Sequence, residues 1–303
     1  MASKKQVTAQ PKAPATVDRA GLPSADILDQ FEKSAGVGFE NVGVRDVLIP
    51  RLAIMQTLSP QLKRNKPQYI EGAKEGDIVD VGLKDIIGDK LHYLLCHYNK
   101  VWIEWAPRDA GRGIVRIHQD DSILAECGLN DRKQPITSDG NLIQETAQFF
   151  GFNLDREMRA SFLPMASTQL KIGRHWMTLA TGEKLPRRDG SLYQAPIFYR
   201  AFELTTRDTT DGDNDWKLWN VERWRSLPEL FPDAVAMRRV MEECLLMNKQ
   251  LAKGTHRGDL SGLEEERDDA IGKPRQQQMA GASGRPRPRG PVSDVGEDGQ
   301  EPM

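Results

Sequence analysis

Residues 168–202 read TQLKIGRHWMTLATGEKLPRRDGSLYQAPIFYRAF, and this stretch joins a helical pattern to the start of a β-strand. Leu170, Ile172 and Met177 can share the inner side of a helix over residues 167–179, with Ser167 as its N-cap. Residues 197–206, IFYRAFELTT, show the period-two pattern of a strand. The stretch therefore predicts a helix followed by a strand.

The same stretch is rich in cationic and aromatic side chains and has only two acids, Glu183 and Asp189. The cationic residues are Lys171, Arg174, Lys184, Arg187, Arg188 and Arg200, and the rings are Trp176, Tyr193, Phe198, Tyr199 and Phe202. Cationic side chains can follow a phosphate backbone, and flat rings can stack on unpaired bases. An ordinary core with solvated faces explains the pattern equally well, so both interpretations stay open.

Within the predicted helix, Lys171, Arg174 and His175 lie opposite the apolar side, where they could face phosphates. In the predicted strand, Phe198 and Tyr199 are neighbours and must point to opposite faces. Only one of these two rings could therefore serve as a platform for a base.

The rest of the central chain is mostly β in pattern. Strands are predicted at 49–58 (mixed in character), 77–81, 91–98, 101–105, 113–118, 197–206 and 216–224, with a hairpin around Asn99-Lys100. Residues 143–149 and 154–160 look like short helices. The pattern predicts a mainly β, α+β fold with helical decorations, built on a small closed barrel of five or six strands.

The two ends of the chain have little to bury. Residues 1–22 are predicted to be a disordered arm, and 23–38 a short helix and linker. The central domain would span 39–254 and end in an amphipathic helix that starts at Asp233. Residues 255–303 form a predicted disordered tail, a basic linker followed by an acidic tip. The acids that we single out as a partner-binding site in that tip are Asp294, Glu297, Asp298 and Glu301.

The composition limits where the protein acts. The 42 Lys and Arg residues against 44 Asp and Glu give a formal charge of −2, so any basic surface must be local. Three widely spaced cysteines indicate reduced thiols. The N-terminus lacks the apolar region of a signal peptide, and no segment has the apolar length of a membrane span. We expect a cytoplasmic protein that does not contact membranes.

Motifs for catalysis are missing. The sequence has no phosphate-binding GxxxxGK[ST] loop, GxSxG elbow, HExxH helix or CxxC pair. Zinc-capable side chains occur at His92, Cys96, His97, His118 and Cys127. On the predicted strand His92 and Cys96 share a face while His97 points the other way, so strand histidines and a buried thiol are the ordinary explanation. Carboxylate pairs at 77 and 80 or at 120 and 121 are ordinary turn residues in appearance. We therefore expect a binding protein with no enzymatic activity, cofactor or metal.

Two further elements could contact nucleic acid. The loop LKRNKPQ supplies Lys63, Arg64 and Lys66. Trp102 and Trp105 are three residues apart and would face opposite sides of one strand, so one could be exposed. We single out Trp105, beside Arg108, as a stacking residue; burial under a helix or a partner is the alternative.

Five segments follow one another in the order VLIPRLAIMQTLSPQ, EGDIVDV, VWIEW, FLPMASTQLKIGRHW and APIFYRAFELTT. Their succession resembles a group of bacteriophage single-stranded-DNA-binding proteins. The resemblance implies an oligonucleotide/oligosaccharide-binding (OB) barrel with a flexible acidic tail. By position, Lys171, Arg174 and Trp176 match one family stretch, and Phe198 and Tyr199 match another. The chain departs from some members because its tail ends in Pro302-Met303, without a terminal aromatic residue.

This resemblance implies sequence-tolerant binding of single-stranded DNA in phage replication or recombination, in the host cytoplasm. Replication or recombination proteins would be captured by the acidic tail, and an oligomer is possible. Two other classes stay open. One is a metal-dependent nuclease or an annealing enzyme of the same replication cassette. The other is an adaptor whose basic patch meets an acidic partner protein.

Overall fold

The computed structural model describes residues 24–34, 37–38, 48–107, 110, 113–211, 214–254, 256–260 and 263. The predictions made for residues 1–22, for Arg108 and for the tail from residue 264 onward lie outside these residues. The acidic tip, with Asp294, Glu297, Asp298 and Glu301, is part of that tail.

The fold is mainly β with a few helices. The strands are β1 (Leu52–Ile54), β2 (Ile78–Asp80), β3 (Asp85–Gly88), β4 (Lys90–Trp105), β5 (Ile114–His118), β6 (Gly128–Leu129), β7 (Pro135–Ile136), β8 (Leu142–Asn153), β9 (Arg159–Ala166), β10 (Lys184–Pro186), β11 (Leu192–Gln194), β12 (Arg200–Asp211) and β13 (Asn214–Ser226). The α-helices are α1 (Ala25–Lys33), α2 (Leu170–Thr181), α3 (Leu227–Leu230) and α4 (Ala234–Ala252).

Two long antiparallel strands, β4 and β8, organise the main sheet, and their ladder runs from Tyr93↔Asn153 to Trp105↔Leu142. Along the edge of β4 that does not pair with β8, the first half of the strand pairs with β12 and the second half pairs with β5. Along the edge of β8 that does not pair with β4, most of the strand pairs with β9 and its first residue pairs with β7. The sheet curls into a half-barrel, because each long strand serves two different sets of neighbours.

The predicted hairpin at Asn99-Lys100 is wrong. Strand β4 runs straight through these residues, with Asn99 opposite Gln148 and Lys100 opposite Ala147. The pair lacks the glycine that favours a two-residue hairpin turn. The ladder with β8 instead holds the whole segment extended, with one register irregularity between Leu95 and His97.

The helices predicted at 143–149 and 154–160 are also wrong, since these residues belong to β8, a 3₁₀ turn and β9. Ala, Gln and Glu at the start of β8 favour a helix locally, but pairing on both edges overrides that preference. The chain reverses through Glu157 and Met158, whose φ angles of 50° and 59° are left-handed. Asn153 supports the turn by accepting a hydrogen bond from the Asp155 amide at 2.9 Å.

Side-chain amides connect the outer edge of β13 to the segment after β1. Gln56 Nε2 donates to the carbonyl of Lys217 at 2.9 Å, and the Lys217 amide donates back to Gln56 Oε1 at 2.8 Å. Gln169 Oε1 accepts from the Trp219 amide at 3.2 Å. On the other side of β1, just before the strand begins, the Pro50 carbonyl accepts a hydrogen bond from the Phe162 amide of β9 at 3.0 Å. Residues 50–56 therefore join the β9 and β13 edges.

Helix α2 fills the inside of the curled sheet. Its Trp176 ring is fully buried and stacks on Phe149 of β8, with ring centroids 4.4 Å apart. Gly173 lets the helix approach closely, because a Cβ there would lie 3.1 Å from the Phe149 ring. The predicted helix is confirmed, but it begins at Leu170 after a 3₁₀ turn. Ser167 has a φ of 49° and does not cap it.

Helix α4 covers part of the opposite, outer face of the sheet. Val240, Cys244 and Met247 are buried there against residues such as Leu94 and Phe150. The predicted start is confirmed, because Asp233 accepts a hydrogen bond from the Ala236 amide at 2.8 Å. This helix leaves the outer face of β8 and β9 uncovered at their other end.

Substituting Trp176→Ala should lower the free energy of unfolding by about 3–5 kcal/mol, because it opens a cavity between α2 and β8. His175→Ala, on the exposed side of the same helix, is the matched control and should change stability by less than about 0.5 kcal/mol. Urea unfolding followed by circular dichroism measures both. Equal effects of the two substitutions would contradict the described packing of α2.

Candidate nucleic-acid interface

A groove of about 980 Å³ lies on the outer face of β8 and β9. Gln144 and Thr146 from β8 and Pro164 and Ala166 from β9 form its floor. Side chains alternate along a strand, so their neighbours point inward to the core, as Phe149 does. The inner aromatic packing thereby determines which polar side chains face the groove.

Two irregular segments form the walls. The segment after β1 contributes Gln56, Leu58 and Ser59, and the connection between β4 and β8 contributes Asn130, Arg132 and Gln134. Trp105, Ile103, Leu142 and Leu263 add apolar surface. The charged residues that line this groove are Arg51, Asp131 and Arg132. Amides, hydroxyls and apolar groups dominate, a chemistry suited to base edges more than to phosphates.

Hydrogen bonds hold both walls in place. Asn130 Oδ1 accepts from the amides of Arg132 at 3.0 Å and Gln134 at 2.9 Å, which folds that wall into a tight turn. On the other side, Ser59 Oγ accepts from the Gln56 amide at 2.8 Å. At the floor, Gln144 Nε2 donates to Ser167 Oγ at 2.8 Å. The groove is built from partnered polar groups and is shaped before any ligand arrives.

The exposed face of α2 carries the predicted basic residues. Lys171, Arg174 and His175 are all exposed, and Arg174 contacts Glu145 of β8 at 3.2 Å while its side chain stays 70% exposed. Ser167 and Gln169, which line the groove, immediately precede this face. Along the chain, the groove therefore ends directly before the helix that carries these cationic side chains.

The basic loop after β1 continues the opposite wall beyond Ser59. Arg64 is exposed, whereas Lys63 and Lys66 are half-buried. The Lys66 amide donates to the Lys63 carbonyl at 2.9 Å, so the loop closes as a turn. Along the chain, this loop directly follows one wall of the groove, and α2 directly follows the lining residues Ser167 and Gln169.

The hairpin formed by β10 and β11 carries two more of the predicted residues. Arg187 and Arg188 are exposed at its turn, and the Arg187 guanidinium lies 5.5 Å from the centre of the Tyr193 ring. Tyr193 is 38% exposed and its ring can be approached from solvent. Sequence reasoning noted this ring but did not select it as a site.

Arg200, one of the predicted contact residues, has partners within the fold. Its Nε donates to Glu183 Oε1 at 2.7 Å, and its Nη1 donates to the Trp224 carbonyl at 3.0 Å. Tyr199 is half-buried and Phe198 is buried, but both lie on a 3₁₀ turn before β12 and not on the predicted strand. Local chain reversal, and not strand alternation, separates the two rings.

Trp105 and Trp176 also need correction as stacking residues. Trp105 is 3% exposed and Trp176 is 0% exposed, so neither ring presents a face to a base. Trp105 packs with Val101 and Ile103 on the outer face of β4, and Trp176 packs inside the sheet. A single sequence cannot distinguish an exposed ring from one that a distant segment covers.

The groove floor was missed because residues 143–149 of β8 were predicted as a helix and residues 161–166 of β9 were assigned to no element. Gln144, Thr146, Pro164 and Ala166 occur at alternate positions, and that period-two spacing was the available signal. Among the described residues, no three His, Cys, Asp or Glu side chains form a group that could hold a metal ion. In the same part of the chain, no helix has the length and apolar character needed to cross a bilayer.

A family model described as "Pam3 phage gp34-like protein" matches residues 17–243, well over half of the chain. The chain belongs to this family. The match agrees with the resemblance to phage proteins and does not bear on single-stranded DNA, which stays a prediction. A search of curated proteins and a search of solved structures found no match.

In this gp34-like protein, a buried polar cluster anchors the wall between β4 and β8. Glu104 accepts a hydrogen bond from Asn141 Nδ2 at 2.7 Å, and its other oxygen lies 2.9 Å from His118 Nε2. Burial acts to raise the pKa of Glu104, but the bonds from Asn141 and His118 outweigh it, and the pKa is lowered. The charged carboxylate thus stabilises the folded state.

The lowered pKa predicts how stability responds to pH. The contribution of Glu104 is fully present above its unfolded pKa of about 4.5 and is lost as pH falls through the lower folded value. Glu104→Gln should cost about 1–2 kcal/mol at pH 7. In urea unfolding, this cost should shrink below about pH 4.5. A difference that stays constant between pH 7 and pH 3 would contradict the assignment.

Proposed function

We propose that this chain binds single-stranded nucleic acid, with DNA as the expected ligand, along the groove on β8 and β9. The observation that carries the proposal is the position of the groove. OB barrels bind oligonucleotides on the face of their second and third strands, flanked by the loop between strands one and two. Here β8 and β9 would be those strands, and the β4–β8 connection would be that loop.

The order of the elements supports an OB-like assignment. Counting β4, β8, β9, β12 and β13 as strands one to five, the first pairs with the second and the fourth, and the fourth pairs with the fifth. Helix α2 lies between the third and fourth strands and fills the inside of the sheet. The other strands are then insertions, which explains why the count exceeds the five of a minimal OB barrel.

The chemistry of the surface is consistent with this ligand. The groove floor offers the half-buried Gln144 side chain to base edges, whereas Thr146 is only 2% exposed. The cationic side chains lie outside the groove, on α2 and on the loop with Lys63, Arg64 and Lys66. Bases in the groove would leave phosphates directed toward these charges. Such binding needs no reaction step, and we propose a binding protein and not an enzyme.

Filling the groove should prevent binding. Ala166→Trp places a large ring on the floor, and we expect the dissociation constant for a fluorescent 30-base oligonucleotide to rise at least tenfold at low salt. Glu242→Trp, on the exposed side of α4 away from the groove, is the control and should leave affinity unchanged. Fluorescence anisotropy gives the affinities, and urea unfolding checks that both variants fold.

Two outcomes would overturn the proposal: no complex with the wild-type chain at low salt, or equal affinity of Ala166→Trp and wild type. Incubation of the oligonucleotide with Mg²⁺ separates passive binding from the nuclease alternative, because only a nuclease shortens the strand. The adaptor alternative predicts that the chain binds an acidic protein and does not bind DNA alone.

The basic face of α2 should determine part of the salt dependence. For single strands, the logarithm of affinity falls with the logarithm of salt by about 0.7 per phosphate contact. The double substitution Lys171→Gln and Arg174→Gln should reduce that slope by about 1.4 if both side chains contact phosphates. The matched control is Arg238→Gln with Arg239→Gln on α4, where both arginines are exposed. An unchanged slope in the α2 variant would exclude this helix from the interface.

A further inference from the structure

A second recess, of about 240 Å³, lies between α4 and the segment that enters the domain before β1. Its apolar lining comes from Leu48, Ile49, Phe152, Ala160, Leu246 and Met247. Leu246 is 49% exposed and Leu48 is 37% exposed. The volume is below the roughly 300–1,000 Å³ of small-molecule sites and suits one large apolar side chain.

Helix α1 presents an apolar side that no described part of its own chain buries. None of its nine residues is buried, and Phe31 is 64% and Leu28 44% exposed. Ile27 shares this side, whereas Asp26 and Asp29 lie opposite. Isolated helices shorter than about 12–15 residues are marginal in water, so α1 needs an apolar contact to persist.

We propose that α1 of one copy of this chain docks in the recess of a second copy, with Phe31 inserted between Leu48 and Leu246. No residue of α1 lines the recess of its own chain, and Phe31 is exposed to solvent instead. Because each copy has one exposed α1 and one recess, a two-fold exchange of helices fills both recesses. Fifteen residue steps separate Lys33 from Leu48, a reach of about 50 Å, which allows α1 to cross to the partner.

The size of the contact predicts a weak dimer. The docking side of one α1 contributes three large apolar side chains, Ile27, Leu28 and Phe31, so a single docking event is a small contact. Once the first helix is docked, the second docks within the same complex at a raised effective concentration. Dimerisation should therefore depend on protein concentration and on both helices together. It needs no nucleic acid and is tested without it.

Cross-linking between two differently tagged chains tests the exchange. Both chains carry Cys127→Ser, since Cys96 and Cys244 are buried and Cys127 is partly accessible. One chain then receives Leu28→Cys and the other Leu246→Cys. A disulfide between these two cysteines can form only between copies, and it joins the two differently tagged chains in one product. We expect the mixed cross-link after mild oxidation. Asp29→Cys, on the opposite side of α1, is the matched control and should give little.

Light scattering over a concentration series supplies the second readout. The wild-type mass should rise from that of one chain, 34.1 kDa, toward that of two. Phe31→Asp should remain at one chain, and Asp29→Ala should follow the wild type. A chain with both Leu28→Cys and Leu246→Cys that cross-links only within itself would overturn the proposal, as would a constant mass of one chain.

Discussion

The stack of Trp176 on Phe149 is the contact on which the rest of the architecture depends. It joins the only α-helix between β9 and β12, in the part of the chain described, to the centre of the longest ladder. With Phe149 directed inward, period-two alternation sends Gln144 and Thr146 to the outer face. The position of the groove floor is thus a consequence of core packing. A change in this stack would alter the core and the groove together.

Several cationic side chains that the sequence offers as phosphate contacts form ion pairs within the fold. Arg200 and Arg223 converge on Glu183 at the base of the β10–β11 hairpin, at 2.7 and 3.0 Å. Arg156 and Arg159 both bind Asp85, which ties β3 to the start of β9. Cationic residues that carry such partners contribute little to a surface for phosphates. Among the described residues, exposed cationic side chains on α2, on the loop that contains Arg64 and on the β10–β11 turn can contribute to a local basic field in a chain of net charge −2.

The sequence predicts those elements whose pattern is decided locally. Helix α4 follows from its apolar period and the Asp233 cap, and β5 and β13 follow from their alternation. The predictions fail where a distant partner decides the conformation. Strand β8 begins with helix-forming residues and is extended because β4 and β9 hold it, and Asn99 and Lys100 are carried straight by the same ladder. The groove depends on these misread segments, so its floor could not be found by scanning for basic and aromatic residues.

The amides of Gln56 and Gln169 have a consequence for how the half-barrel moves. They close the β13 edge with a few side-chain bonds where a neighbouring strand would supply a continuous ladder. Opening along this line costs fewer hydrogen bonds than separating any of the long strand pairs, so local breathing should be concentrated there. Gln56, Gln169 and Trp219 also line the groove. A ligand that fills the groove would therefore suppress this breathing, and binding and barrel rigidity would be thermodynamically linked.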